Sequence, residues 1–358
     1  MMLLSELISA FEPKLLSQYA ARLLPGHKRA LAAMKDCRTT ASPMMLAQCL
    51  ACNASALLPH SCGHRSCPHC QHHEGQRWLA RQRQKLLPVH YFMVTFTLPA
   101  QMRNLAWQHQ RLIYDLLFKI SWETLSGFGR NDKQLQGRLG ATAVLHTHSR
   151  KLDYHPHVHI IVPAGALDSN RKLWRKKKGK YLFNQDNLAK VYRAKWFQAL
   201  KDHGCEVHAK LPADWVVDCK PVGCGDKALT YLARYLYRGV IREKDILSVQ
   251  EGKVTFRYTD NTGTIKTRTL PGEEFLWLLL QHVLPKGFRR ARDYGFLHPN
   301  SKPLIRLLQL LFQVTMQRLN EIPRATIKCP LCSGPMIIVA TQLGKHGRNV
   351  PGALVNTA

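Results

Sequence analysis

The chain has 358 residues, 45% of them hydrophobic and 8% aromatic, enough apolar material to bury a core and too much for a disordered tail. Its 52 Lys and Arg against 23 Asp and Glu leave a net charge of +29, an excess that disfavours a compact state unless a polyanion shares its working environment. Nucleic acid is the expected partner. No long basic amphipathic helix or lipidation motif supports a membrane surface instead, and the longest apolar run, FLWLLLQHVL (275–284), is too short to span a bilayer and predicts a buried helix.

The first residues, MMLLSELISAFEP, meet a charge at Glu6 and lack a basic segment or small-residue cleavage site, which predicts a cytoplasmic, bacterial-type protein rather than an exported one. With 11 cysteines, several in C-x-x-C pairs, and no export signal, metal binding is expected before disulfides. Residues 1–88 read as a cysteine- and histidine-rich domain built around CLACNASALLPHSCGHRSCPHC. Cys49 and Cys52 form one pair, Cys67 and Cys70 another, with 14 residues between them. Each C-x-x-C turn aims two thiolates at one point, so the two pairs are expected to complete a tetrahedral, structural Zn²⁺ site with no open position for chemistry. Cys37, Cys62, His64, His69 and His27 remain; they either form a second site or exchange roles with the first four. The basic amphipathic stretch EGQRWLARQRQKLLP predicts a helix ending near Pro88.

Residues 89–298 read as one α+β domain. HYFMVTFTLP (90–99) predicts a buried strand, and a helix is expected over 104–125. GATAVLHTHS and YHPHVHIIVPAG predict two strands joined at Arg150–Asp153. Residues two apart share a face of a strand, so His157 and His159 can chelate one divalent ion, with His146 or His148 of the preceding strand as third ligand. Mixed imidazole and water coordination suits Mg²⁺ or Mn²⁺ acting on a phosphate oxygen. RKLWRKKKGK (171–180) holds seven basic residues in ten; Arg171, Lys172, Arg175, Lys176, Lys177 and Lys178, with Trp174 among them, predict a phosphate-contacting loop. Helices follow over 187–203 and 227–237. The second, KALTYLARYLY, sets Tyr231 and Tyr235 four apart on one face, beside Arg234 and Arg238, as candidate nucleophiles that would form phosphotyrosine; Tyr237 points to the other side. GKVTFRYTDNTGTIKTRTL predicts a hairpin turning at DNTG.

Residues 299–358 read as an extension with an amphipathic helix, KPLIRLLQLLFQVTMQRL, and a C-x-x-C pair, Cys329 and Cys332. That pair is half of a zinc site completed by His346 or by residues elsewhere, or binds nothing. Cys205, Cys219 and Cys224 show no ligand spacing.

Taken in order, SCGHRSCPHCQ, FTLP, AVLHTH, HPHVHIIVP, YLARY and HVLPKGFRRARDYGFL resemble the HUH endonucleases, and among them the two-tyrosine rolling-circle transposases of the insertion-sequence-91 family. The resemblance implies an HUH domain with a central antiparallel sheet flanked by helices, plus a small N-terminal zinc-binding domain for DNA recognition. It implies His157 and His159 as the metal-binding pair, favours His146 over His148 as the third ligand, and implies Tyr231 and Tyr235 as nucleophiles. The implied activity is nicking and joining of single-stranded DNA at element ends and target through a 5′-phosphotyrosine. A plasmid replication initiator or relaxase would share this chemistry, a non-catalytic zinc-dependent nucleic-acid-binding protein would lack it, and a decayed transposase would keep the fold alone.

Overall fold

A computed structural model describes residues 3–168, 170–179, 181–237, 239–260, 262–315, 322, 326–343 and 354–355. The architecture is mixed α/β, with antiparallel sheets flanked by helices, in agreement with the sequence. Two compact units interleave along the chain: Met1–Gly75, Tyr237–Val283 and Glu321–Ala358 form the first, Gln76–Leu236 and Leu284–Asn320 the second. The division expected from sequence is three consecutive segments; the chain instead re-enters the first unit twice and the second unit once.

The first unit opens with α1 (Leu4–Tyr19), α2 (Pro25–Asp36) and a hairpin of β1 (Met44–Cys49) and β2 (Ser55–Pro59). The second unit follows with α3 (His72–Arg83, whose first turn still belongs to the first unit), β3 (Tyr91–Thr97), α4 (Arg103–Gln108), α5 (Gln110–Asn131), β4 (Gly140–His148), β5 (Tyr154–Pro163), β6 (Gly165–Asp168), β7 (Leu173–Lys176), α6 (Gln185–Asp202), β8 (Val217–Pro221) and α7 (Asp226–Tyr237). The chain then re-enters the first unit with β9 (Ile246–Gln250), β10 (Lys253–Thr259), β11 (Ile265–Pro271) and α8 (Gly272–Leu280). β12 (Ala291–Gly295) and α9 (Lys302–Leu311) belong to the second unit, and β13 (Ile327–Lys328), β14 (Pro335–Leu343) and β15 (Leu354–Val355) to the first. The amphipathic helix expected over 302–319 is described as far as Leu311, and residues 316–319 lie outside the described residues.

Why β9–β11 and α8 leave the expected catalytic segment is visible in the packing. The apolar run that predicted a buried helix is α8, in which Phe275 to Leu280 are all buried. Its partner is α1, whose Leu4, Leu7, Ile8, Phe11 and Leu15 recur at helical spacing. Tyr19 stacks on Trp277 with ring centroids 5.0 Å apart, and a Cβ on Gly272 would fall 2.3 Å from the Phe11 ring. The unit's five-stranded sheet runs β13-β14-β1-β2-β15, so that β1 sits between its hairpin partner and a strand from the far end of the sequence.

In the second unit five strands run β12-β4-β5-β3-β8 with every neighbour antiparallel. Side chains alternate between two faces. Val94, Phe96, Ala143, Leu145, Val158 and Ile160 lie in the core with Tyr114 and Leu117 of α5 and Tyr192 and Trp196 of α6. Full burial of such side chains stabilises by roughly 1.5–3 kcal/mol each, so the register of the sheet is firmly set by this face. The opposite face is thereby committed to Thr95, His146, His157 and His159.

Candidate active site and thiol clusters

Register builds the first site. His146 stands directly opposite His157 across the β4–β5 ladder, while His159 stands opposite Val144 on one side and Thr95 of β3 on the other. One ring nitrogen from each of His146, His157 and His159 lies within 4.8 Å of the other two. A register irregularity between His146 and His148 separates the two candidates for third ligand. His146 enters the group; His148 stacks on Tyr235 instead, with ring centroids 5.5 Å apart. His155, though on the same strand face, is held away, its Nδ1 accepting from Arg103 at 2.9 Å.

The rings are fixed from behind. His157 Nδ1 donates to the His155 carbonyl at 2.7 Å, and His159 Nδ1 meets Thr95 Oγ1 at 2.9 Å. The carbonyl can only accept, so it fixes the His157 tautomer that leaves Nε2 free to bind, while the Thr95 hydroxyl orients the His159 ring. Burial, and then the neighbouring imidazoles, hold His146 far below the ordinary histidine value; burial and then His159 do the same for His157, and burial brings His159 down to about 4. All three are therefore neutral lone-pair donors at physiological pH. His146 Nε2 is buried with no hydrogen-bond partner among the described residues. An orphaned buried nitrogen costs about 1–3 kcal/mol, so three converging neutral imidazoles fit a divalent cation on both geometric and energetic grounds.

The tyrosines reach this group from α7. Ala228, Leu229, Leu232, Ala233 and Leu236 bury one face of the helix, and Tyr231 and Tyr235 project from another. Its N-terminus is tied by Asp226, which accepts from Arg83 Nε at 2.6 Å and Nη2 at 3.1 Å. The Tyr235 ring lies nearly parallel to His146, centroids 4.1 Å apart and planes at 16°. Tyr231 stands 5.9 Å from His159 and 4.7 Å from Tyr235. Burial, then Tyr235, pushes the Tyr231 phenol above its ordinary value, against a lowering contribution from Arg150. Tyr237 packs over Gly75, where a Cβ would come within 3.0 Å of Tyr237 Cβ.

Thr95, Arg150 and Arg290 did not stand out in the sequence. Arg290 Nε donates to the Leu145 carbonyl at 3.0 Å, and its charge adds to the larger effect of burial in lowering both His146 and His148. Only the strand register reveals Thr95, whereas Arg290 lies within the HVLPKGFRRARDYGFL motif.

The basic loop is more ordered than expected. Leu173–Lys176 is β7, paired with β6, and Trp174 sits edge-on to Phe296 and Phe312 at 5.9 and 5.5 Å. Gly165 makes room for that ring, since a Cβ there would fall 2.2 Å from it. Arg175 is paired with Asp168 at 2.8 Å and Lys177 with Asp132. Arg171, Lys172, Lys176 and Lys178 are exposed, as is Arg234 on α7, while Arg238 and Lys180 lie outside the described residues.

The four cysteines expected to share one ion are divided between two groups. Cys67 and Cys70 cluster with Cys37 and Cys62, and Cys49 and Cys52 with Cys329 and Cys332. The cause is β-pairing: β1 delivers Cys49 to β14, opposite Met336, and away from the 67–70 turn. In the first group Sγ–Sγ separations are 3.4 Å for Cys37–Cys70, 3.5 Å for Cys62–Cys70 and 3.6 Å for Cys37–Cys67. Four thiolates ~2.3 Å from a tetrahedral zinc stand ~3.8 Å apart, so the cluster matches a structural Zn²⁺ site closely. The histidines left over in this region are engaged elsewhere: His69 Nε2 with Glu243 at 2.8 Å, His64 Nδ1 with the Ser66 amide at 3.2 Å, and His27 Nδ1 with the Leu24 amide at 3.2 Å. His346 lies outside the described residues. Cys205, Cys219 and Cys224 join none of the metal-ligand groups among the described residues.

A chain with a thiol-clustered unit, a histidine-bearing α/β unit and a charge of +29 has the make-up of a zinc-containing protein that processes nucleic acid. Comparison with known proteins narrows the class. A family described as "Putative transposase" matches residues 140–303, and one described as "Transposase zinc-binding domain" matches residues 7–98. "Putative transposase y4qJ" of Sinorhizobium fredii is 32% identical over 299 residues, which is 77% of this chain and 75% of the relative. "Transposase for insertion sequence element IS801" of Pseudomonas savastanoi pv. phaseolicola is 27% identical over 267 residues, 67% of this chain and 62% of the relative. The chain belongs to the insertion-sequence-91 family of transposases, with an N-terminal zinc-binding domain that carries structural Zn²⁺. No helix among the described residues is long and apolar enough to cross a membrane.

Proposed function

We propose that this transposase nicks and rejoins single-stranded DNA by HUH chemistry, with Tyr231 and Tyr235 as nucleophiles and a 5′-phosphotyrosine as the covalent intermediate of rolling-circle transposition. The observation that carries the reading is the seating of two phenols, four apart on α7, against three neutral imidazoles whose nitrogens converge. His146, His157 and His159 would hold a divalent ion, which when bound polarises a phosphate oxygen as a Lewis acid. The sequence suggests Mg²⁺ or Mn²⁺ for that ion.

The chain's own residues do the rest. The His155 carbonyl keeps His157 in the binding tautomer, and Thr95 orients the ring of His159. One tyrosine attacks phosphorus: the phenolic O–P bond forms, the bond to the 3′ oxygen breaks, and the 3′-hydroxyl departs carrying a proton. Arg150 favours the phenolate at Tyr231, opposing the rise caused by burial. A second tyrosine holds a second end, which strand exchange between donor and target requires. Arg171, Lys172, Lys176, Lys178 and Arg234 supply exposed positive charge for the phosphate backbone.

The test is covalent capture. The full chain, incubated with Mn²⁺ and single-stranded oligonucleotides from element ends, forms a protein–DNA adduct. Tyr231→Phe and Tyr235→Phe singly retain some cleavage, and the double variant forms no adduct while still binding DNA. An adduct mapped to Tyr237 or outside α7 would overturn the assignment. Failure of wild type to form any adduct favours the non-catalytic binding reading.

A further inference from the structure

We infer that Cys49, Cys52, Cys329 and Cys332 form a second structural zinc site, split across the chain, so that the N-terminal zinc-binding domain is completed by a segment outside the two matched families. The matched regions end at residues 98 and 303, before Cys329.

The two C-x-x-C turns are built alike. In the first, the Cys49 amide donates to the Ala54 carbonyl at 2.8 Å and the Asn53 amide to the Cys49 carbonyl at 3.1 Å. In the second, the Cys329 amide donates to the Gly334 carbonyl at 2.8 Å and the Ser333 amide to the Cys329 carbonyl at 2.9 Å. The residue after the second cysteine takes the left-handed conformation in both, Asn53 at φ 57° and Ser333 at φ 58°. Each loop thus curls its two sulfurs to one side, and the β1–β14 ladder brings the loops face to face. Sulfurs meet across the join at 3.5 Å for Cys49–Cys332, 3.7 Å for Cys52–Cys329 and 3.4 Å for Cys52–Cys332. These approach the ~3.8 Å edge of a tetrahedral tetrathiolate and far exceed the ~2.05 Å of a disulfide. Gly334 is required for the fit: a Cβ there would stand 2.9 Å from Ala51 Cβ, 3.2 Å from Cys332 Sγ and 3.4 Å from Cys49 Sγ. Four ligands close the coordination sphere, so the ion joins chain segments and does no chemistry.

Zinc content and thiol protection of the full chain test this. Wild type is expected to hold two Zn²⁺ per chain, and Cys49→Ser/Cys52→Ser, Cys329→Ser/Cys332→Ser and the quadruple variant one each. Loss of two ions by the quadruple variant where each pair loses one, or retention of both after Cys329→Ser/Cys332→Ser, overturns the shared site. Because a variant can misfold, alkylation of the wild-type protein supplies a second measure. Cys52, Cys332 and Cys224 are all exposed. In the zinc-loaded protein Cys224 reacts quickly while Cys52 and Cys332 are protected, and chelation releases both together. Reaction of Cys332 at the rate of Cys224, or recovery of a 49–332 or 52–329 disulfide under reducing preparation, refutes the proposal.

Discussion

Thr95→Val changes one atom in the imidazole group's support. Valine keeps the shape and removes the oxygen that holds His159 Nδ1 at 2.9 Å. If Nε2 takes the proposed metal, Nδ1 carries its hydrogen, and His159 is only 8% exposed, so water cannot readily replace the lost acceptor. An unsatisfied buried donor costs about 1–3 kcal/mol, and removing an outer partner of a ligating histidine typically weakens metal binding roughly 10- to 100-fold, equivalent to ~1.4–2.8 kcal/mol. Titration of the full chain with Mn²⁺, followed by calorimetry or by the electron paramagnetic resonance of free ion, should show that weakening with little change in metal-independent DNA binding. Thr97→Val is the control: its neighbour His157 is already held by the His155 carbonyl, so affinity should stay within about twofold. Equal affinities for wild type and Thr95→Val would refute the reasoning, whatever happened to cleavage.

Neutralising Lys176 and Lys178 to glutamine should flatten the dependence of log affinity on log salt by about 1.4, at ~0.7 per single-strand phosphate contact, while Lys177→Gln, already paired with Asp132, should leave the slope unchanged. An equal effect from Lys177 would contradict that division. Gly295→Ala places a Cβ 1.7 Å from the Leu139 carbonyl at φ +62° and should cost roughly 2–4 kcal/mol, read as a lower melting temperature; an unshifted transition counts against the β4–β12 packing. Burial holds His27 at about 4 against the ordinary 6.5, so stability should fall as pH drops from 6.5 towards 4, because the unfolded chain takes up a proton that the folded imidazole refuses. His27→Gln should flatten that acid limb relative to wild type in denaturant titrations near pH 7.5 and pH 5; parallel curves would exclude the mechanism.

What the sequence disclosed and what it hid follow from how far each pattern reaches. His157 and His159 were legible because a strand's period of two places them on one face, and Tyr231 and Tyr235 because a helix repeats after four. Adding His146 required only the neighbouring strand of a hairpin; the residues left His148 equally open, the resemblance alone favoured His146, and the register irregularity that separates the two has no sequence signature. The cysteines group otherwise than expected because a C-x-x-C turn does not say which pair it joins; the partner of Cys49 is fixed by a ladder to residue 336. Composition likewise made the 171–180 run a loop, whereas Gly165 and Trp174 together make it a ribbon whose aromatic ring is spent on packing. The placement of β9–β11 with the first unit rests on α8 packing against α1, a contact with no local signature.

The strand β1 has a consequence for biosynthesis. Its second neighbour, β14, lies so far along the chain that Met336 is synthesised 287 residues after Cys49, which it faces. At ~5–20 residues per second, the nascent polypeptide waits roughly 14–57 s with one edge of β1 unpaired. Such an edge templates association with other chains, so ribosomes crowded on one message would hold several identical sticky edges side by side. Slow translation of this gene, or depletion of nascent-chain chaperones, should therefore lower the yield of folded transposase more than it lowers that of the β4–β5 sheet, whose strands meet within a single hairpin.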